Sequence, residues 1–414
     1  MTVTLPAPGQ VLRWLGGPLD VRVEIDTGLE GATFGLWDSA VWDESTWGSE
    51  DPAWTDISPY VLSASMRAGA TRWGERFETA SLNIEVDDTE GLFTPDSGVD
   101  PWHLPFRPGR RIRLIIVDAD EVKRPLFTGH IDATNDEHDA AGFDIRTVIP
   151  CHDMAAVWAA FNPPMLTVAT GVESTSARIH GALDRFGYDG DRTQIQTGVH
   201  EMQTSALAQS TFEECQRAAD AEGSVFYADS QGRPVFKARD WLTTDTRSVN
   251  VQAWIGYDTI PAGSTGAHVL GLVVSHESAR IVNQVSFAAS GGILQTAEDA
   301  LSQTLFGKRT YQRTDFENND DTELALLAAR HLAAFKDDRA RVDQVTIAVA
   351  DDPDFHDLLY TTQFGDRWSV LVATPWGWSY AKEVHVMGVE LAVTADDFQA
   401  TFRLDDAQTF EGTF

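Results

Sequence analysis

Hydrophobic and polar residues alternate along much of the chain, the period of half-buried strands. In LDVRVEID, Val21, Val23 and Ile25 share one face. In ASLNIEVDDTEG, Leu82, Ile84 and Val86 alternate before DDTEG turns the chain. FRPGRRIRLIIVDADEVKRPLFTGHIDA predicts a glycine turn, a strand with Ile112, Leu114 and Ile116 inward, an acidic turn and a second strand; FDIRTVIPCHD follows as another. The alternation breaks in GATFGLWDSAVWDESTWGSEDPAWTDIS, where Trp37, Trp42 and Trp47 recur every five residues and Trp54 comes seven later. A period of five matches neither helix nor strand, so about 30–56 reads as an ordered loop.

Between 156 and 245 the period becomes helical. STSARIHGALDRFG starts on Ser/Thr, spaces Ile179, Leu183 and Phe186 on one side and stops at Gly187. STFEECQRAADAEG carries Ser210 and Glu213 as a capping box, Phe212, Cys215 and Ala219 as an inner stripe, and Gly223 as its stop. VFYADSQGRPVFKAR is a hairpin around Asp-Ser-Gln-Gly. Residues 246–280, with five glycines or prolines at 256, 261, 263, 266 and 271, read as a connector. Residues 281–414 return to strands, apart from DDTELALLAARHLAAFKDD. There an acidic start, inward Leu324, Leu327, Ala328 and Phe335, and a final Lys336 predict a helix over about 320–337.

Two stretches share one grammar. PGRRIRLII followed by FTGHIDATNDEHDAAGFDIRTVIPCHD parallels FGDRWSVLV followed by VMGVELAVTADDFQATFRLDDA. Gly109 and Gly365 precede a strand; Gly129 and Gly388 sit inside the next; an acidic hairpin and an outgoing strand ending in acids follow. The expected fold class is therefore mainly β with an α+β insert. Two antiparallel β-barrels would occupy 1–155 and 281–414, separated by the small α+β domain and the connector.

Composition narrows the functions. The 414 residues hold 31 Lys plus Arg against 63 Asp plus Glu, a net charge of −32. Such a surface repels polyphosphate, which argues against a non-specific nucleic-acid or anionic-membrane binder. The densest basic cluster is Arg107, Arg110, Arg111 and Arg113, of which Arg111 and Arg113 alternate with inward Ile112 and Leu114. A polar outer face or a salt-bridging subunit contact accounts for it better than DNA binding. Cys151 and Cys215 lack a CxxC or histidine companion and read as small buried hydrophobes. No apolar run reaches the length of a membrane span, and MTVTLPAPGQVLRW has neither the basic nor the apolar segment of a signal peptide, so synthesis in a cytoplasm without stable membrane insertion is expected.

Catalytic signatures are missing. There is no Gly-x-Ser-x-Gly; Gly307-Lys308-Arg309 lacks the rest of a phosphate loop; and the 11 histidines include no His-Glu-x-x-His. His130, His138, His152, His356 and His385 read as structural. Asp87, Asp88 and Glu90 lack calcium-loop spacing and read as a solvated turn. Asp351, Asp352, Asp354, His356 and Asp357 crowd one loop, and paired carboxylates matter only when opposed across a cleft. The chain is therefore read as a non-enzyme, with no catalytic, cofactor or metal site. For the Trp-rich loop, two readings stand. The indoles pin the loop to its own domain, or they anchor a neighbouring chain, as Trp often does at interfaces. A glycan-binding platform is a third.

The order barrel, α+β insert, helix-bearing barrel resembles the tail-hub proteins of tailed bacteriophages, the minor tail proteins of siphophages and the baseplate hubs of contractile tails. SLNIEVDDTEGLFTP, PGRRIRLIIVDADEVKRPLFTGHID, TFEECQRAADAEGSVFYADSQGRPVFKAR and FGDRWSVLVATP carry the resemblance, which runs from about Leu19 to Ala407. It implies two tail-tube-like barrels per chain and a homotrimer matching a six-fold tube to a three-fold tip. Distal-tail or tube proteins would lie above, tip or fibre proteins below, and DNA would pass only in transit through an acidic channel. The location implied is the virion tail tip. The Trp-rich insert departs from the minimal pattern. Inter-subunit contact is assigned to Trp37, Trp42, Trp47, Trp54, Arg107, Arg110, Arg111 and Arg113. The alternatives are a hexameric distal-tail ring, a tail-associated cell-wall hydrolase and a glycan-binding adhesin.

Overall fold

A computed structural model describes residues 20–26, 54–94, 108–118, 120–138, 145–162, 171–206, 210–256, 265–276, 280–349, 355–373, 379–394 and 397–407. Its first β-rich region is β1 (Asp20–Asp26), β2 (Trp54–Asp56), β3 (Val61–Gly69), β4 (Glu78–Asp87), β5 (Arg111–Val117), β6 (Lys123–Ile131), β7 (Asn135–His138) and β8 (Ile145–Asp153). The alternating residues do what alternation requires. Val23 and Ile25 on β1, Leu82, Ile84 and Val86 on β4, and Ile112, Leu114 and Ile116 on β5 are all buried.

The insert contains α1 (Met154–Ala160), β9 (Glu173–Ser174), α2 (Thr175–Phe186), β10 (Glu201–Met202), α3 (Thr211–Glu222), the hairpin β11 (Phe226–Ala228) and β12 (Pro234–Phe236), and the short α4 (Trp241–Thr244) and α5 (Thr246–Val249). Both long helices end where a glycine takes the left-handed conformation, Gly187 at φ 86° and Gly223 at φ 68°. Ser210 accepts from the Glu213 amide as an N-cap. The Glu213 carboxylate bonds Arg76 and Arg217. Cys215 and Ala219 lie in the insert's own core with Trp158, Ile179, Leu183 and Phe226.

The second β-rich region holds β13 (Val251–Gly256), β14 (Gly266–His268), β15 (Gly271–Ser275), β16 (Gln284–Ala289), β17 (Gln295–Glu298), α6 (Ala300–Phe306), β18 (Thr310–Phe316), α7 (Asp321–Phe335), β19 (Arg341–Ala348), α8 (His356–Thr361), β20 (Arg367–Ala373), β21 (Ser379–Thr394) and β22 (Phe398–Asp406). Helix α7 buries Leu324, Ala328 and Phe335, as its spacing predicts. One hydrophobic core runs through both β-rich regions, from Val23 to Leu404.

The two β-rich regions repeat one another strand for strand. Along the first, neighbours run β3-β4-β8-β6-β5-β1; along the second, β15-β19-β22-β21-β20-β13. Chain order matches too. A broken strand carries the pairing round in both: β2 pairs β1 while β3, four residues on, pairs β4; β14 pairs β13 while β15, two residues on, pairs β19. Finer details coincide. Gly109 (φ 88°) donates its amide to the Ile131 carbonyl at 2.7 Å, and Gly365 (φ 89°) donates to that of Val386 at 2.7 Å. Ile131 and Val386 donate back to the carbonyls of Arg110 and Asp366. Ile131 faces Cys151 and Asn135 faces Val148, four steps against three; Val386 faces Leu404 and Glu390 faces Thr401, again four against three. The same one-residue bulge therefore sits at the same place, and β6 plus β7 corresponds to the single long β21.

Four expectations are corrected. Gly129 matches Val384, not Gly388, because the register is set by the Gly109 and Gly365 turns. The connector contains β13, β14 and β15, which belong to the large sheet, while β16, β17 and β18 form a separate three-stranded sheet under α7. Periodicity shows a strand but not its partner. The second region is not wholly antiparallel: β13 runs parallel to β14 and β20. Asp88 is fully buried; it accepts from the Phe93 amide at 2.8 Å and the Thr94 hydroxyl at 2.6 Å, so it staples its turn instead of being solvated.

Candidate assembly interfaces

The two β-rich regions meet through strands β3 and β21. Past Val386, β21 leaves β20 and pairs β3 antiparallel, from Gly388 opposite Gly69 to Thr394 opposite Ser63. Two glycines let the backbones cross. A Cβ on Gly69, at φ 91°, would stand 2.4 Å from the Met387 carbonyl oxygen; one on Gly388 would stand 2.7 Å from that of Ala70. Arg403 on β22 passes behind the crossing and donates to the Ala68 carbonyl at 2.9 Å. Around it, Ala70 donates to the Met387 carbonyl at 2.9 Å and Trp73 to Asp405 at 3.0 Å.

The insert is clamped by charge. Arg178 is fully buried and holds Glu214 at 3.1 Å and Glu317 at 3.3 Å, with Glu173 at its Nε. Glu317 belongs to the loop after β18, so this pin joins the insert to the second β-rich region. Arg76, from the β3–β4 connection, reaches Asp220 at 2.6 Å, and Arg313 on β18 reaches the same carboxylate at 2.8 Å. Reading helix faces alone misses these residues. The available signal was an Arg and a Glu, 178 and 214, each next to a core position, Ile179 and Cys215.

Of the residues read as contact candidates, Trp37, Trp42, Trp47 and Arg107 lie outside the described residues. Trp54 and Arg113 come together: the guanidinium lies 4.1 Å from the indole centroid, a cation–π pair. Arg113 also donates to Glu24 at 2.8 Å, a buried carboxylate that Lys123 approaches at 2.6 Å. Arg111 is exposed on the outer face opposite His130, and Arg110 sits in the turn before it. The four arginines are therefore not one free basic patch: Arg113 is engaged by its own chain.

Two of the histidines read as structural bond backbone carbonyls. The His356 ring bonds the Val349 carbonyl at 2.9 Å, and the His385 ring that of Ser248 at 3.0 Å. Cys151 and Cys215 are free and buried, and burial pushes both thiols up. Asp351, Asp352 and Asp354 lie outside the described residues, as does the side chain of His138. A cavity of about 220 Å³ opens between β6, the β11–β12 turn and the end of α8. It presents two carboxylates. Burial raises Asp153 to about 7, yet it caps α1 through the Ala156 amide; Asp229 accepts from the amides of Gln231 and Arg233 and from the Arg233 side chain. Among the described residues no group of three or more metal-ligating side chains occurs, and no helix is long and apolar enough to cross a membrane.

No family model matches the sequence, and no curated protein matches it. The fold does have solved counterparts. The tail protein from Neisseria meningitidis MC58 matches with a TM-score of 0.58 at 12% identity, over 94% of this chain and 98% of that one. The 43 kDa tail protein of prophage MuSo2 from Shewanella oneidensis matches with a TM-score of 0.57 at 10% identity, over 94% and 99%. Over nearly its whole length, the fold of this chain is that of these tail proteins.

Proposed function

We propose that this chain is a structural hub of a siphophage tail tip. In this reading each β-rich region is a tube-like barrel. Three chains supply six barrels in a ring that fits a six-fold tube above and a three-fold tip below, and that surrounds the channel through which DNA leaves. The observation that carries the reading is the repeat. Two modules with one strand order, one bulge and one glycine turn are what a three-chain ring needs to present six similar faces. The fold shared with two tail proteins agrees with it. A net charge of −32 keeps passing DNA from adhering to the wall. Distal-tail or tube proteins would stack on one rim and tip or fibre proteins on the other, in the virion tail tip.

The Trp-rich loop and the arginines belong to the same proposal. Trp37, Trp42, Trp47, Arg107, Arg110 and Arg111 contact a neighbouring chain, and the stacked Trp54 and Arg113 give that patch a rigid edge. Replacing Trp37, Trp42 and Trp47 together by Ala would weaken assembly without creating or removing glycan binding; loss of glycan binding with assembly intact would favour the adhesin. Native mass spectrometry with negative-stain microscopy tests the hub directly. A three-chain ring is expected. A six-chain ring would replace the hub with a distal-tail ring, and a chain that stays monomeric at high concentration would remove both.

A further inference from the structure

The repeat shows what covers the outer edge of one module, and among the described residues no strand pairs with the same edge of the other module. Strand β3 pairs β4 on one side and the far half of β21 on the other. Its counterpart β15 pairs β19 on one side and, among the described residues, nothing on the other. The far half of β21 has its own counterpart in β7, which likewise pairs only β8 among the described residues. Open edges of this kind are templates for another strand. The unpaired edge is also apolar: Leu270 is 57% and Val273 49% exposed, and Leu270, just before β15, corresponds to Leu62 within β3.

We propose that β15 of one chain pairs with β7 of the next, repeating between chains the β3–β21 contact made within each chain. The occupant is a second copy of this protein. The register follows from the repeat. Asn135 matches Glu390, so Glu137 matches Ala392 and His138 matches Val393. Leu272 faces Val345, which faces Phe402; Ala64 faces Ile84, which faces Ile149, the counterpart of Phe402. Leu272 thus matches Ala64, and Val273 matches Ser65. Within the chain Ala392 lies opposite Ser65 and Val393 opposite Ala64. Between chains Glu137 lies opposite Val273 and His138 opposite Leu272. The contact joins two different surfaces, so it propagates from chain to chain and closes into a ring in which in-chain and between-chain junctions alternate. This inference rests on the hub reading.

The test is oxidative cross-linking of the purified full chain carrying Glu137→Cys and Val273→Cys. Chains carrying Ser65→Cys and Ala392→Cys serve as the geometric control, since those positions face each other inside the chain and are exposed. The two native cysteines are buried and contribute no background. The control is expected to close within single chains. The Glu137→Cys, Val273→Cys chain is expected to run, without reductant, as a covalent ladder ending at three chains, and each single variant to stay unlinked. A wild-type mass of three chains, a closed control and no cross-link between 137 and 273 would overturn the edge pairing and leave the hub standing. A ladder ending at another number would keep the edge pairing and remove the three-fold ring. A disulfide between 137 and 273 inside one chain would overturn the pairing outright.

Discussion

The first and second β-rich regions share a frame and differ in what the frame carries. Strand order, bulge and glycine turn agree, yet β13 runs opposite to its counterpart β1. Reversing a strand leaves alternate residues on alternate faces, so the core face survives even though the hydrogen-bond pattern changes from antiparallel to parallel. The connection between β3 and β4 is a short loop, whereas that between β15 and β19 holds a three-stranded sheet and two helices. Equivalent backbones also meet different surroundings. A Cβ on Gly109 would meet nothing within 4 Å, while one on Gly365 would stand 1.9 Å from the Trp241 ring. A module is therefore defined by its pairing, and its loops and insert are free to specialise.

The comparison can be broken hardest where the second region grips the insert through Glu317. Arg178→Met removes the buried cation shared by Glu214 and Glu317, leaving Glu317 only the more exposed Arg217, and is expected to cost about 3 kcal/mol in urea unfolding, the low end of the range for breaking a buried pair. A loss below about 1 kcal/mol would show that the clamp is not structural. Next come the paired glycines. Gly365→Ala adds a clash with Trp241 to the left-handed strain and is expected to cost about 3 kcal/mol, against about 1 kcal/mol for Gly109→Ala. Equal losses would dissolve the distinction between the two turns.

The excursion particular to the second region has its own pH signature. His331 stacks against Tyr311 at 4.7 Å and lies near Phe335 and Phe287, and burial lowers it to about 4, with the charges of Arg72 and Arg313 adding to the effect. In the unfolded chain the ring takes up a proton near about 6.5. The unfolded state thus binds more protons between about pH 6.5 and 4, and stability falls as the pH drops through that window. His331→Phe keeps the ring and is expected to remove about 3 kcal/mol of that pH dependence. An unchanged pH profile in the variant would place the acid sensitivity elsewhere. The smallest effect belongs to the first region. Trp54→Ala removes the stack on Arg113 and is expected to cost about 1 kcal/mol of stability, with weaker assembly by native mass. Strand β14 carries Gly266, Ala267 and His268 in place of that aromatic, so no matching change exists in the second region.

Local chemistry made much of this legible in advance. The caps at Ser210, Gly187 and Gly223 depend on residues a few positions apart, and they form as the sequence suggests. Only the amide half of the Ser210 cap forms, because Arg76, distant in the chain, competes for Glu213. The repeat was visible through Gly109 and Gly365, but Gly129 and Gly388 misled: Gly129 is needed because a Cβ there would stand 2.2 Å from the His152 carbonyl, and Gly388 because of the crossing with Gly69. Of the arginine cluster, alternation showed the outward face of Arg111 and Arg113 and could not show Glu24 as the partner.

Alternation and helical spacing, acting over a few residues, determined which segments are strands and helices, which side of each is buried, and that a strand grammar occurs twice. Only the tertiary structure decided that β13 to β15 belong to the large sheet, that β13 is reversed, and that β21 crosses from its own module to β3. A two-residue period fixes which face a strand buries but leaves both its edges unassigned, and those edges are joined by hydrogen bonds between residues hundreds of positions apart.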